Sequence, residues 1–185
     1  VGLLGKQLEA AKDRNEAAAV ASLSLRLGGL LEKRDRTEAK NVYYAGLDWD
    51  AQNRPLLEAL ATLHRTDGDQ TDCADALERI LLLERGPEAE KLALELSTVR
   101  AELWDEPGAE RALEYGFKAH PSSETLRDRL ESAYRDKGAW DKLAALYEID
   151  ASGRKEVSER VARLRDAAAI FRLELHDHVA AVRVL

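Results

Sequence analysis

Methionine is missing from all 185 residues, and there is one cysteine, Cys73, with only two phenylalanines, three tryptophans and five tyrosines. A single thiol excludes an internal disulfide framework and fits a reducing, cytoplasmic setting. No Pro/Gly/Ser-rich stretch or low-complexity tract interrupts the chain as a linker would. No apolar run reaches the ~20 residues that a membrane helix requires, so no membrane partner is expected. Positive charge is also short: 28 Lys and Arg face 35 Asp and Glu, a net charge of −7. Contact with phosphate backbones needs clustered positive charge, so nucleic acid is not the expected partner. Lys33, Arg34, Asp35 and Arg36 form a short basic stretch in a predicted turn, where mixed charge reads as solvated surface. Alternating apolar and polar runs bounded by turn signals are absent, which excludes a sheet.

What the chain does contain is helical spacing. Leu57, Leu60, Ala61 and Leu63 recur at the helical period, as do Cys73, Ala74, Leu77, Ile80 and Leu81, so each segment has one face to bury. The four prolines, Pro55, Pro87, Pro107 and Pro121, fall where helices should begin, since a first-turn proline loses no hydrogen bond the helix would make. Gly68 and Gly138 fall where helices should stop. The expected fold class is all-α.

These segments repeat. The clearest copy holds Leu130, Tyr134, Gly138, Trp140 and Tyr147, and a second holds Leu60, Ala61, His64, Gly68, Cys73, Leu77 and Ile80. A third uses Leu96, Ser97, Trp104, Ala109, Leu113, Gly116 and Pro121, and fainter copies lie at Leu27, Leu30, Ala39, Tyr43, Gly46 and at Ala167, Phe171, Ala180, Val184. The small or apolar marker on the second helix of each copy is Ala39, Cys73, Ala109, Leu143 and Ala180, which by subtraction gives intervals of 34, 36, 34 and 37.

With two helices per unit and this period, the chain resembles the tetratricopeptide repeat. Leu130, Tyr134, Gly138, Trp140 and Tyr147 match that family's leucine, first-helix aromatic, turn glycine and second-helix aromatics, and Pro121 its closing proline. The resemblance implies a right-handed superhelical solenoid of stacked antiparallel helix pairs, with about five repeats and roughly ten helices. The implied layout is a single domain over 1–185. It has a leading helix at 1–19 and repeats near 20–53, 54–89, 90–123, 124–160 and 161–185, the last truncated. A chain that opens on Val1 reads as a fragment or a processed product, and arginine's excess over lysine suggests a bacterial coding bias.

Chemistry is harder to place. There is no GxGxxG, no Walker loop and no HExxH, and the titratable candidates are spread over repeat-related positions instead of converging. His64 reads as a packing residue and His120 as loop. His176 and His178 flank Asp177, too few groups for a metal site of ordinary spacing. Neither catalysis, a cofactor nor a metal is expected. The expected function is a scaffold that holds a protein or peptide on the concave face lined by first helices. The outward positions there are Glu58, Thr62, Arg65, Lys91, Thr98, Asp128, Ser132, Arg135, Arg165 and Arg172. Tetratricopeptide clamps for a C-terminal carboxylate place basic and asparagine residues on this face. Ser24, Gly28 and Ala59 stand at that phase here, so a chaperone adaptor is not expected. Two other roles fit the pattern, a regulatory or assembly segment of a larger enzyme and an RNA-associated repeat. The apolar last helix allows self-association.

Overall fold

Short polar side chains and prolines set where the helices start. The computed structural model describes residues 2–185. Eleven helices and no strand occur among them. A first compact unit ends at Leu83 and contains α1 (Gly2–Asp13), α2 (Ala17–Leu31), α3 (Arg36–Leu47), α4 (Arg54–Asp67) and α5 (Gln70–Leu83). The second unit, Glu84–Leu185, contains α6 (Pro87–Glu102), α7 (Glu106–Ala119), α8 (Glu124–Lys137), α9 (Trp140–Gly153), α10 (Val157–Leu173) and α11 (His178–Arg183). Within each unit, helices pack chiefly against their neighbours in the chain. The all-α expectation and the helix pairing hold: α4 pairs with α5, α6 with α7 and α8 with α9.

Five starts are capped by side chains. Asp35, Asn53, Asp105, Ser123 and Asp177 accept hydrogen bonds from the backbone N–H of Glu38, Leu56, Gly108, Leu126 and Ala180, at 3.0, 3.2, 2.9, 3.2 and 2.8 Å. Each such cap is worth about 1 kcal/mol. The basic stretch 33–36 therefore spans a helix start, with Asp35 as its cap. Pro55, Pro87 and Pro107 stand in the first turns of α4, α6 and α7, and Pro121 lies in the turn before α8. At the other ends, Gly68 and Gly138 close α4 and α8 with φ of 81° and 64°, the left-handed conformation in which a side chain is strained.

Burial follows the apolar stripes. In the first unit Leu8, Ala11, Val20 and Leu27 form one cluster, with Leu4, Leu23, Val42 and Trp49 packed on it. Tyr43 of α3 packs closely on α2 because Gly28 has no side chain; a Cβ there would sit 2.2 Å from the Tyr43 ring. In the second unit Leu96, Phe117, Leu126, Leu130 and Leu143 are fully buried. Two repeat-pattern residues depart from a packing role. Leu30 is 53% exposed, and Trp104 is 90% exposed in the turn before α7, at φ 61°. Trp140, by contrast, is half-buried at the start of α9.

Candidate functional site

The first helices of the pairs each show one buried and one solvent face, and the ten nominated polar residues all lie on the solvent faces. In the first unit, Glu58, Thr62 and Arg65 form an i, i+4, i+7 stripe on α4. In the second, Lys91 and Thr98 lie seven residues apart on α6, Asp128, Ser132 and Arg135 repeat the α4 spacing on α8, and Arg165 and Arg172 are seven apart on α10. Several of these groups are already engaged. Glu58 accepts from Arg54 Nε at 2.7 Å, Lys91 donates to Glu88 at 2.6 Å, and Arg127 grips Asp128 through two nitrogens at 3.0 and 2.8 Å. Thr62 and Thr98 donate to carbonyls one turn back, and Arg135 bonds Glu131 and the Tyr147 hydroxyl. Arg165 and Arg172 have no ion-pair or hydrogen-bond partner for their side chains among the described residues.

Ser24 and Gly28 are buried in the α2–α3 contact, not on an open face, because Tyr43 and Gly46 close over them. Ser24 Oγ has no hydrogen-bond partner at all in that position.

Three polar networks went unseen in the sequence. His64 is 3% exposed, which agrees with a packing role, and its Nε2 shares a hydrogen bond of 2.8 Å with the Tyr44 hydroxyl. Its Nδ1 lies 3.4 Å from Asp69 and 3.6 Å from Asp72. These three residues are the set among the described residues whose ligand atoms are close enough to hold a metal ion. Lys40 already sits against Asp69 and Asp67, 2.7 Å from each, and so neutralises part of that charge. By comparison, Asp177 between the two late histidines is occupied in capping α11.

The second network surrounds Asp150, 1% exposed near the end of α9. Arg154 Nε and Arg163 Nε lie 3.0 and 2.9 Å from its two oxygens, and Arg127 lies 3.8 Å away. One buried carboxylate thus joins α8, α9 and α10. The third network links α7 to α8 and α9. The Tyr134 hydroxyl donates to Glu114 at 2.7 Å, and Lys142 reaches both Glu110 and Glu114. Burial works against the charged form of Glu110, but the ammoniums of Lys137 and Lys142 outweigh it and hold its carboxyl below the usual carboxylate range. Burial raises the phenols of Tyr43 and Tyr134 well above their ordinary value, reinforced by Glu32 and Glu114 respectively. Tyr147 is pushed up to about 12, again chiefly by burial.

Beside the third network, a groove of about 240 Å³ has a floor of Phe117, Leu130, Leu146 and Ile149. A larger one, about 390 Å³, runs between α10 and α11 and is lined by Arg165, Ala168, Arg172, Ala181, Val182 and their neighbours. No helix among the described residues is long and apolar enough to cross a membrane.

A scan against protein-family models finds no match, and a search of the curated proteins finds none either. Solved structures that match include one described as "Functional Characterization of Pseudomonas Aeruginosa pilF". That structure has a TM-score of 0.39 and 14% identity, over 98% of this chain and 83% of the other.

Proposed function

We propose that the chain is a protein-interaction scaffold of the tetratricopeptide kind, and that it acts by holding a peptide or partner domain against the solvent faces of its first helices. One observation carries this reading: on α4, α6 and α8 the large apolar side chains are spent on packing, while polar stripes that together carry both signs of charge remain exposed at regular helical spacing. Within each unit, hydrogen-bonding groups fixed on rigid helices can select a partner at little ordering cost. In this reading the Tyr44, His64 and Asp69 set is a packing network, since its imidazole is 3% exposed, and binding rather than turnover is the activity. A cytoplasmic setting goes with it, on the strength of the lone buried Cys73.

The test is crosslinking and copurification from the native host, with the wild-type chain and an Arg65→Glu, Arg135→Glu variant. The expected result is a specific protein, crosslinked through α4 or α8, that the variant retains poorly and that nuclease treatment does not release. Salt-sensitive retention of RNA with no specific protein would overturn the reading in favour of an RNA-associated repeat.

A further inference from the structure

The groove between α10 and α11 has a chemistry that the other polar faces lack. Seven residues separate Arg165 from Arg172, which puts both on one side of α10, about 10 Å apart along the axis. Between them lie Ala168 and Ala169, and α11 contributes Ala181 and Val182 across the groove, so its floor is apolar and shallow in side chains. Val182 and Val179 are 76% and 82% exposed, and Leu185 is 72% exposed. By contrast Arg163, on the same helix, lies against Asp150 and Asp166. Arg165 and Arg172 have neither, and no acidic residue lines the groove.

We propose that this groove is a docking site for an acidic amphipathic helix of a partner protein, whose apolar ridge lies on Ala168, Ala181 and Val182 while its carboxylates pair with Arg165 and Arg172. The inference rests on the scaffold reading and names the class of partner at one of its faces. A helix fits because second helices in this unit already receive a following helix in this way: α8 packs on α7, and α10 on α9. Acidic flanks fit because two unpaired guanidiniums beside an apolar floor favour planar, bidentate carboxylates. A second copy of this chain fits less well, since a two-fold contact would place the patch against itself and bring four guanidiniums together without a counter-charge. Single-stranded nucleic acid would need a series of aromatic platforms, and the lining offers only the imidazole of His178.

The experiment selects a displayed library of random peptides, about 16 residues long so that a helix could span the groove, on the wild-type chain and on an Arg165→Glu, Arg172→Glu variant. Both arginines are exposed, so the variant should fold, as circular dichroism would verify. Enriched sequences should place Asp or Glu seven residues apart with small or aliphatic residues between them. A synthetic copy should bind the wild type at least about tenfold tighter than the double variant, weaken with added salt, and shift the amides of Ala168, Ala181 and Val182. Val182→Glu should also abolish its binding. The proposal is overturned by enriched peptides without acidic residues, by equal affinity for the double variant, or by wild-type dimerisation through this face that the double variant retains. Amide shifts confined to α8 would overturn it too, yet leave the scaffold reading intact. A selection that enriches nothing sinks the proposal alone, since native copurification decides the scaffold reading separately.

Discussion

Removing the Asp150 carboxylate should destabilise the second unit more than any surface substitution. Asp150 is 1% exposed and its two oxygens take Arg154 and Arg163 at 3.0 and 2.9 Å, while Arg127, 8% exposed, stands 3.8 Å off. Losing one partner of a buried ion pair costs about 3–5 kcal/mol, because the other charge stays in a poorly solvated site. Here the loss is cushioned. Arg127 keeps Asp128, Arg163 keeps Asp166, and Arg154 has Glu124 and Glu159 within 3.8 Å. Asp150→Ala should therefore lie near the bottom of the range, about 3 kcal/mol, and Asp150→Asn, which keeps the shape and one acceptor, nearer 2 kcal/mol. Thermal melting followed by circular dichroism should show Tm falling by roughly 10 °C for the alanine variant and less for the asparagine variant. If the cause is stranded positive charge, Arg163→Ala in the Asp150→Ala background should cost much less than in the wild type, with a coupling of about 1–2 kcal/mol in the double-mutant cycle. Melting within about 2 °C of wild type for Asp150→Ala would refute the reasoning and mean that the arginines are adequately solvated without it.

Gly28→Ala and Gly138→Ala should differ in origin and size. At Gly138 a Cβ would meet nothing nearer than Trp140 Nε1 at 3.9 Å, so only the left-handed backbone opposes it, at about 1 kcal/mol. At Gly28 the Tyr43 ring blocks the new methyl, and urea denaturation should show a loss of at least about 2 kcal/mol; equal costs at the two positions would contradict the close packing of α2 and α3. Ser24→Ala removes a buried hydroxyl without a partner, so stability should be unchanged or rise by about 1 kcal/mol, and a clear loss would mean that the hydroxyl is bonded in solution. Alkaline pH should unfold the protein. Tyr43, Tyr134 and Tyr147 all titrate higher when folded than the ordinary phenol near 10, so their contribution is complete below about pH 10 and is lost as pH rises through the folded values. Denaturation between about pH 9 and 12 should show the unfolding free energy constant at first and then falling, by up to ~1.4 kcal/mol per pH unit for each tyrosine concerned; a flat profile would remove burial as the cause.

Local features were legible from the sequence, and non-local ones were not. Proline loses little in a first turn wherever that turn sits, so Pro55, Pro87 and Pro107 marked helix starts unaided. Gly68 and Gly138 likewise announced helix ends, because the conformation they adopt depends on the chain within one turn. The exposed polar stripes followed from helical phase once the apolar side was known. Asp150 was different. In LYEIDASG it reads as one more charge late in a helix, and its burial is decided by Arg127 on α8 and Arg163 on α10, neither of them a near neighbour in sequence. Ser24 and Gly28 were assigned to an open face for the same reason, since Tyr43 folds back from α3 to cover them. Trp104 matched the repeat pattern by spacing yet points into solvent, because its backbone turns left-handed where α6 hands over to α7.

The placement of the three indoles makes the chain its own spectrometer. Trp104 emits from water whether or not the protein is folded, a constant red background. Trp49, packed on the cluster of α1 and α2, and Trp140, at the head of α9, should redden on denaturation. Trp104→Phe would strip away the background and leave one reporter on either side of Leu83. Superimposable emission and ellipticity curves would then describe a single cooperative switch, whereas a biphasic trace would oblige every stability figure to be quoted separately for each half.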